Sequence, residues 1–476
     1  MDSLLGKSFY IKTYGCQMNV YDSEKVAAML QNEGMVQTEE HQTADVIILN
    51  TCHIRDRARH KVYTELGFLK KNKEKRLKDG KCCVIAVGGC VAQAEGGEIF
   101  KNAPFVDVVF GTQTYHQLPA MLDQAVQYSY KKSWQRNVLT NRKKEQVINI
   151  DFTSENKMDY MPMFRSIDGS EFLAIQEGCN KFCTYCVVPY TRGMEVSRPA
   201  DLVLKEARAM ADAGIKSITL LGQNVNAYRG LAPGAAGPGE ETWNFSRLLY
   251  AVAEIPGVER IFYTSSHPLN VDLDLMKAHA EIPALIPFVH LPIQSGSNDV
   301  LRKMNRKHTA EEYIDIIEKF REYTPHIAFA SDFIVGFPGE TEKNFEETLA
   351  LVEKVRFAQA FSFKYSRRPG TAAYNMVDQI DEAVKVERLR ILQDLLQQHQ
   401  IHFNKQSIGQ VVPVAFQKHG KFQNQVIGKS KYMQSVVVSN INPAEFLHSI
   451  RLIKIKGATL SSLEGVVEQS AQLQSA

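Results

Sequence analysis

The chain of 476 residues contains no apolar run of about 18 residues, the length a helix needs to cross a bilayer core. It begins Met1-Asp2-Ser3 with no charged-then-apolar leader, so neither a membrane span nor a secretory signal is expected. Composition shows no disordered or fibrous bias. An excess of either sign of charge is lacking as well, with a formal net charge of +3. These absences point to a cytoplasmic globular protein, and a prior of about 150 residues per domain suggests roughly three domains. In a reducing compartment its eight cysteines are not expected to pair as disulfides, which turns attention to metal and redox chemistry.

The small net charge hides an uneven distribution. From Ile401 onward eight Lys or Arg (Lys405, Lys418, Lys421, Lys429, Lys431, Arg451, Lys454, Lys456) face three acids (Glu445, Glu464, Glu468). A basic surplus on one small domain is the footprint expected for a polyanion partner. Its plain alternative is a solvated basic face.

Three cysteines lie in Gly178-Cys179-Asn180-Lys181-Phe182-Cys183-Thr184-Tyr185-Cys186. The spacing C-x3-C-x2-C makes a tripod that leaves one metal position open. Structural zinc takes four protein ligands, whereas an iron–sulfur cube takes one thiolate per iron, so three cysteines leave the fourth iron for another molecule. A zinc knuckle or unrelated buried thiols remain the alternatives on spacing alone. The segment resembles the radical S-adenosylmethionine superfamily. That resemblance implies that Cys179, Cys183 and Cys186 hold a radical-generating [4Fe-4S] cluster, whose free iron chelates S-adenosylmethionine and whose electron releases a 5′-deoxyadenosyl radical.

Near the N-terminus, predicted strands over 9–14, 46–50, 83–87 and 106–110 alternate with helices over 23–33 and 55–70. That alternation reads as a doubly wound parallel sheet. Cys16, Cys52 and Cys90 each fall just past the carboxyl end of a predicted strand, the edge where open α/β sheets bind ligands. Cys82 and Cys83 lie at the opposite end of their strand and read as core thiols. The next stretch, 126–164, reads as a charged linker, with Lys131-Lys132-Ser133-Trp134-Gln135-Arg136 and Asn141-Arg142-Lys143-Lys144 as basic runs.

Residues 165–400 repeat a strand-then-helix unit six times. Strands are predicted at 172–176, 217–221, 260–265, 288–291, 327–335 and 360–364, and helices at 202–213, 245–255, 273–279, 310–323, 343–355 and 383–400. Six units suit a curved, partly open (β/α)6 barrel with its active groups at the strand carboxyl ends. The strand-end sequences, among them Gly222-Gln223-Asn224, Ser265-Ser266-His267-Pro268 and Gln294-Ser295-Gly296-Ser297, are polar or glycine-containing. Together they look like the rim of a site for a large polar cofactor, although each alone is ordinary turn chemistry. From 401 to 467 short β-rich runs predict a small oligonucleotide-binding type of barrel, in which Phe416, Phe422 and Tyr432 are core residues or base-stacking platforms.

Cysteines at strand ends in front, a radical tripod in the middle and a basic barrel behind resemble the methylthiotransferases over essentially the whole chain. The run Gln176 to Gly193, with Leu221-Gly222-Gln223-Asn224-Val225-Asn226-Ala227-Tyr228 and His290-Leu291-Pro292-Ile293-Gln294-Ser295-Gly296-Ser297, is similar to the branch acting on isopentenyl-adenosine in tRNA. The resemblance implies an N-terminal methylthiotransferase domain (7–125), a radical core (165–400) and a C-terminal TRAM domain (401–467). It implies two [4Fe-4S] clusters, the second on Cys16, Cys52 and Cys90, and two S-adenosylmethionine molecules per turnover. Cofactor contacts are implied at Tyr185, Gly222, Gln223, Ser266, Gln294, Asp332 and Ile334.

Two positions depart from patterns common among radical enzymes: Gly222-Gln223 stands where many have Gly-Gly-Glu, and Asp332 where a glycine is frequent. The resemblance further implies an electron donor, a sulfur source and a monomeric enzyme. Its target is carbon 2 of the adenine next to the anticodon. Related enzymes acting on threonylcarbamoyl-adenosine or on an aspartate of a small-subunit ribosomal protein share this domain order and are the competing expectations.

Overall fold

The computed structural model describes residues 3–53, 56–134, 146–152, 157–162, 172–235, 237 and 239–467. The chain divides into two compact units, residues 1–180 with 186–198 and residues 181–185 with 199–476. The nine-residue cysteine loop is therefore apportioned: Cys179 and Cys186 belong to the first unit, Cys183 and Tyr185 to the second.

The first unit contains β1 (Ser8–Thr13), α1 (Gln17–Asn32), β2 (Val36–Gln37), β3 (Val46–Thr51), α2 (Asp56–Lys78), β4 (Val84–Gly89), α3 (Cys90–Glu95), α4 (Glu98–Asn102), β5 (Val108–Phe110), α5 (Leu118–Trp134) and β6 (Val147–Asn149). The strands form one parallel sheet in the order β2-β1-β3-β4-β5-β6. Every residue of β3 and β4 is buried, as continuous apolar runs require in a sheet covered on both faces. Successive side chains alternate between those faces. Val46, Ile48, Val84 and Ala86 pack with Val26, Leu30, Leu118 and Leu122 of α1 and α5. Ile47, Leu49, Ile85 and Val87 pack with Val62, Leu66 and Ile99 of α2 and α4. This is the doubly wound arrangement expected.

Cys82 lies in the first of these cores and Cys83 in the second. Burial pushes the Cys83 thiol up to about 12, in keeping with an inert core thiol.

The stretch 126–164 is more than a connector, because α5 runs to Trp134 and β6 pairs with β5 at the sheet edge. Residues 135–145, which carry part of the basic runs, lie outside the described residues. The first unit also holds β7 (Phe172–Ala174), the short antiparallel pair β8 (Gln176–Glu177) and β9 (Val196–Ser197), and α6 (Val188–Arg192).

In the second unit α7 (Ala200–Asp212), β10 (Ser217–Leu221), β11 (Arg229–Leu231), β12 (Thr242–Asn244), α8 (Phe245–Ala253), β13 (Arg260–Tyr263), α9 (Leu273–Glu281), β14 (Phe288–His290), α10 (Asn298–Lys303), α11 (Ala310–Tyr323), β15 (Ala328–Val335), α12 (Glu342–Val355), β16 (Gln359–Lys364) and α13 (Glu382–Lys405) follow in order. β10 pairs in parallel with β13, an isolated parallel bridge joins Ile261 to Leu285, and β14, β15 and β16 form a parallel sheet. Apart from the antiparallel pair β11 and β12, strands alternate with helices here as in an open β/α barrel.

Then β17 (Val411–His419), β18 (Gln425–Ser430), β19 (Ser435–Ser439), β20 (Ile450–Ala458) and β21 (Leu463–Val467) close into a barrel in the order β17-β18-β19-β21-β20. Arg260 of β13 donates to the carbonyls of Lys429 (2.7 Å) and Ser430 (2.8 Å), and Asn404 of α13 donates to Thr459 O (2.9 Å). Those bonds seat the barrel on the helical part of its own unit. Among the described residues no helix is long and apolar enough to cross a membrane.

Candidate sulfur and cofactor sites

The sheet order places its topological switch between β1 and β3, where ligands collect outside the strand ends of doubly wound folds. Cys16 follows β1 and caps the N-terminus of α1, Cys52 follows β3, and Cys90 opens α3 after β4. Helix N-termini favour thiolate over thiol.

The three thiols share neighbours. Cys52 hydrogen-bonds Cys16, and this bond together with the charge of Arg192 pulls the Cys16 thiol down to about 6. Cys90 is pushed up by burial, against which the positive charge of Arg192 acts. Gly15 has φ +109, and a Cβ there would collide with the Cys52 side chain. Only glycine permits this approach.

A network behind the thiols was not foreseen from sequence. Asn19 Nδ2 donates to Tyr14 O and Thr51 O, both at 2.9 Å, tying together the loops that carry Cys16 and Cys52. Its Oδ1 accepts from Cys16 Sγ at 3.6 Å and from Arg192 Nη2 at 2.8 Å. Arg192 also donates to Asp22 Oδ2 (2.8 Å) and Glu177 Oε1 (2.7 Å). Lys157 Nζ reaches Glu177 Oε1 (2.8 Å) and Thr112 O (2.7 Å) and lies 3.4 Å from Asp22 Oδ1. All four charged side chains are at most 5% exposed. The available signal was thin: Glu177 and Arg192 bracket the tripod within the run Gln176 to Gly193.

Among the described residues no three His, Cys, Asp or Glu are gathered to share a single metal ion. Ligands of a cube need not be, because each thiolate takes its own iron. Soft thiolate donors, one already acidified, suit an iron–sulfur group at Cys16, Cys52 and Cys90.

Around the tripod, the Cys179 N–H donates to Gly193 O (3.2 Å) and Cys186 Sγ accepts from the Val188 N–H (3.4 Å). In the second unit Cys183 Sγ lies 3.8 Å from Arg306 Nη1, and Phe182 holds a left-handed φ of 48° with its carbonyl accepting from Asn305. Arg306 also contacts Pro292 O and His308 Nε2. His308 packs edge-on to His267 at 5.9 Å. Burial, reinforced by Arg306, brings His308 down to about 4 and drives His267 lower still.

The expected cofactor contacts all lie in the second unit, and several are brought together. Val225 N–H donates to Ser265 O (3.1 Å), setting the Gly222-Gln223 loop beside Ser266. Gln294 N–H donates to Asp332 O and Ile334 N–H donates to Gln294 O, both at 2.9 Å. Asp332 Oδ2 is 3.3 Å from His290 Nε2, and His290 Nδ1 is 3.1 Å from Thr264 Oγ1. Tyr185 and Ile334 pack against one apolar cluster of Val300, Met304, Phe337, Tyr365 and Ala373. Ser265 (φ 68°) and Gln294 (φ 80°) hold left-handed backbone at two strand ends, a strain that persists where structure over-determines it and that clusters at functional sites.

Ser266 is buried and its Oγ has no hydrogen-bond partner among the described residues. A buried hydroxyl so placed is suited to an incoming polar ligand such as S-adenosylmethionine. The loop after β15 has a structural use instead, since Glu340 Oε1 accepts from Gly336 N–H (2.9 Å) and Arg388 Nη1 (2.8 Å). In the C-terminal barrel Phe416 is core and Tyr432 packs edge-on to Phe403, whereas Phe422 is 66% exposed beside Lys421.

Two family profiles match the chain: "Uncharacterized protein family UPF0004" over residues 8–111 and "Radical SAM superfamily" over residues 173–352. Curated relatives match nearly end to end. A tRNA-2-methylthio-N(6)-dimethylallyladenosine synthase of Ehrlichia canis is 51% identical, covering 97% of this chain and 100% of the relative. One of the same name from Rickettsia conorii is 48% identical over the same shares. Among solved structures, the radical S-adenosylmethionine methyltransferase TsrM from Kitasatospora setae aligns with TM-score 0.53 at 13% identity, covering 78% of this chain and 75% of that one. The cobalamin-dependent radical enzyme OxsB aligns with TM-score 0.52 at 12% identity, covering 83% and 57%. These likenesses bear on the fold.

Proposed function

Because the chain belongs to the tRNA-2-methylthio-N(6)-dimethylallyladenosine synthase family, we propose that it installs a methylthio group on carbon 2 of isopentenyl-adenosine at position 37 of tRNA, next to the anticodon. The observation that carries this reading is identity of 51% and 48% across 97% of the chain with relatives of that one name. The protein is a radical S-adenosylmethionine enzyme.

Two [4Fe-4S] clusters are assigned, one to Cys179, Cys183 and Cys186 and one to Cys16, Cys52 and Cys90. Bound there, they supply the one-electron cleavage of S-adenosylmethionine and a place to carry sulfur. Tyr185, Gly222, Gln223, Ser266, Gln294, Asp332 and Ile334 are assigned to S-adenosylmethionine, two molecules of which are used per turnover. Ser266 Oγ offers an unspent hydrogen bond, and the mutual Gln294–Asp332–Ile334 backbone bonds keep the strand ends fixed while a ligand enters. A pre-set site spends no binding energy on reorganisation. The Cys16 thiol, drawn down to about 6, gives up its proton readily to a metal.

The basic C-terminal barrel, with Phe422 exposed, is assigned to the tRNA backbone and an unstacked base. The target base must leave its stack to reach the cofactor site, as base-modifying enzymes require. An electron donor, a sulfur source, a monomeric state and a cytoplasmic setting belong to the same proposal.

The test is anaerobic reconstitution with S-adenosylmethionine, reductant and sulfide. The enzyme is then offered tRNA bearing isopentenyl-adenosine, tRNA bearing threonylcarbamoyl-adenosine, and the small-subunit ribosomal protein. Methylthio product on the first substrate is expected. Product on either of the others alone would overturn the assignment.

A further inference from the structure

The charged quartet behind the N-terminal thiols needs a reason. Buried ion pairs are poor stabilisers, since desolvation offsets most of their attraction, yet Asp22, Lys157, Glu177 and Arg192 are all withdrawn from water. Lys157 is spent on structure: it bonds both carboxylates and Thr112 O and lies 4.6 Å from the Tyr115 ring. Arg192 has a different outlook. Two of its bonds go to Glu177 and Asp22, and a third goes to Asn19 Oδ1, which lies 3.6 Å from Cys16 Sγ. Its planar, permanently charged fork reaches both carboxylates and the Asn19 amide at once, which an ammonium cannot do in the same geometry.

We propose that Arg192 is a positioning residue of the N-terminal sulfur site: held by Asp22 and Glu177, it fixes Asn19 against Cys16 and keeps a permanent positive charge behind the thiolates, and so sets the reduction potential of the group they hold. This rests on the reading that Cys16, Cys52 and Cys90 carry an iron–sulfur cluster. Hydrogen bonds to ligand sulfurs and nearby positive charge stabilise the more reduced, more negative state of such a cluster and raise its potential. The quartet balances its own charge, so Arg192 stays in place whether the thiols are loaded or not.

The test uses the full chain with Cys179, Cys183 and Cys186 replaced by Ala, so that iron can enter only the N-terminal trio. After anaerobic reconstitution with iron and sulfide, iron per chain and the midpoint potential are read by EPR-monitored titration. About four irons are expected. Arg192→Gln should keep the iron and lower the reduced-to-oxidised ratio at fixed potential about tenfold, which for one electron is about 59 mV. Arg192→Lys should recover part of the shift.

If Arg192→Gln fails to fold, the double variant Asp22→Asn with Arg192→Gln removes one charge of each sign and carries the measurement. An unmoved potential with iron intact would reduce Arg192 to a structural staple and overturn the inference. No iron in the parent would sink the cluster reading and this inference with it.

Discussion

Among the described residues two buried arginines stand by the cysteine sites, Arg192 through Asn19 and Arg306 directly, and their surroundings differ in kind. Arg192, in the first unit, sits between the carboxylates of Asp22 and Glu177. Arg306, in the second, contacts Cys183, the Pro292 carbonyl and His308, a histidine held neutral near pH 7. The first cation is matched within a closed set of four charges. The second projects its charge onto Cys183 and onto two histidines that burial keeps deprotonated. Arg192 therefore faces its thiol site from within a fixed set of partners, whereas Arg306 touches Cys183 directly. The two arginines thus serve different cysteines from different surroundings.

That separation breaks most visibly if both sites serve one reaction step. Cys179→Ala should abolish release of 5′-deoxyadenosine from S-adenosylmethionine, while Cys52→Ala should retain it and lose only methylthio transfer. Chromatography of the nucleoside product decides it, and loss of release in a folded Cys52→Ala protein would merge the two sites. The next largest effect concerns the quartet. Asp22→Asn leaves two buried cations against one carboxylate and should cost about 3–5 kcal/mol, read by denaturant unfolding of the full chain. An unchanged midpoint would show that the charges are not balanced as the distances suggest.

The smallest effect sharpens the Arg306 side. The His308 pKa lies near 4 in the folded chain against about 6.5 when unfolded. Between those values the unfolded chain binds the proton and the folded chain does not, so stability falls as pH drops from about 6.5 to 4. His308→Gln should remove up to about 3 kcal/mol of that loss. Thermal melts across the window would show a flatter pH profile, and an identical profile would count against a buried neutral histidine.

Legibility from sequence followed the range of the interactions. The helix Ala310–Tyr323 is readable to its ends because Thr309 and Glu312 form a capping box, a signal confined to four residues. The strand Val46–Thr51 is readable because a strand covered on both faces shows as an apolar run, here Val46 to Leu49. Cys16, Cys52 and Cys90 were placed correctly at strand ends on the same grounds. By contrast β2 has two exposed residues and β6 an exposed Ile148 between two half-buried ones, too short for any period to show. The contact of Arg192 with Asp22 spans 170 positions, and a single long-range ion pair leaves no trace in local pattern. What remained hidden was therefore the polar second layer behind the cysteines, rather than the cysteines themselves.

The bonds from Arg260 and Asn404 into the C-terminal barrel have a consequence for substrate choice. If the barrel grips the RNA backbone, the span from that grip to the strand ends bearing Ser266 and Asp332 is fixed by hydrogen bonds within one unit. Such an enzyme would work as a caliper. It would find its adenine by how far the nucleotide lies along the anticodon arm, with little need to spell out the neighbouring bases.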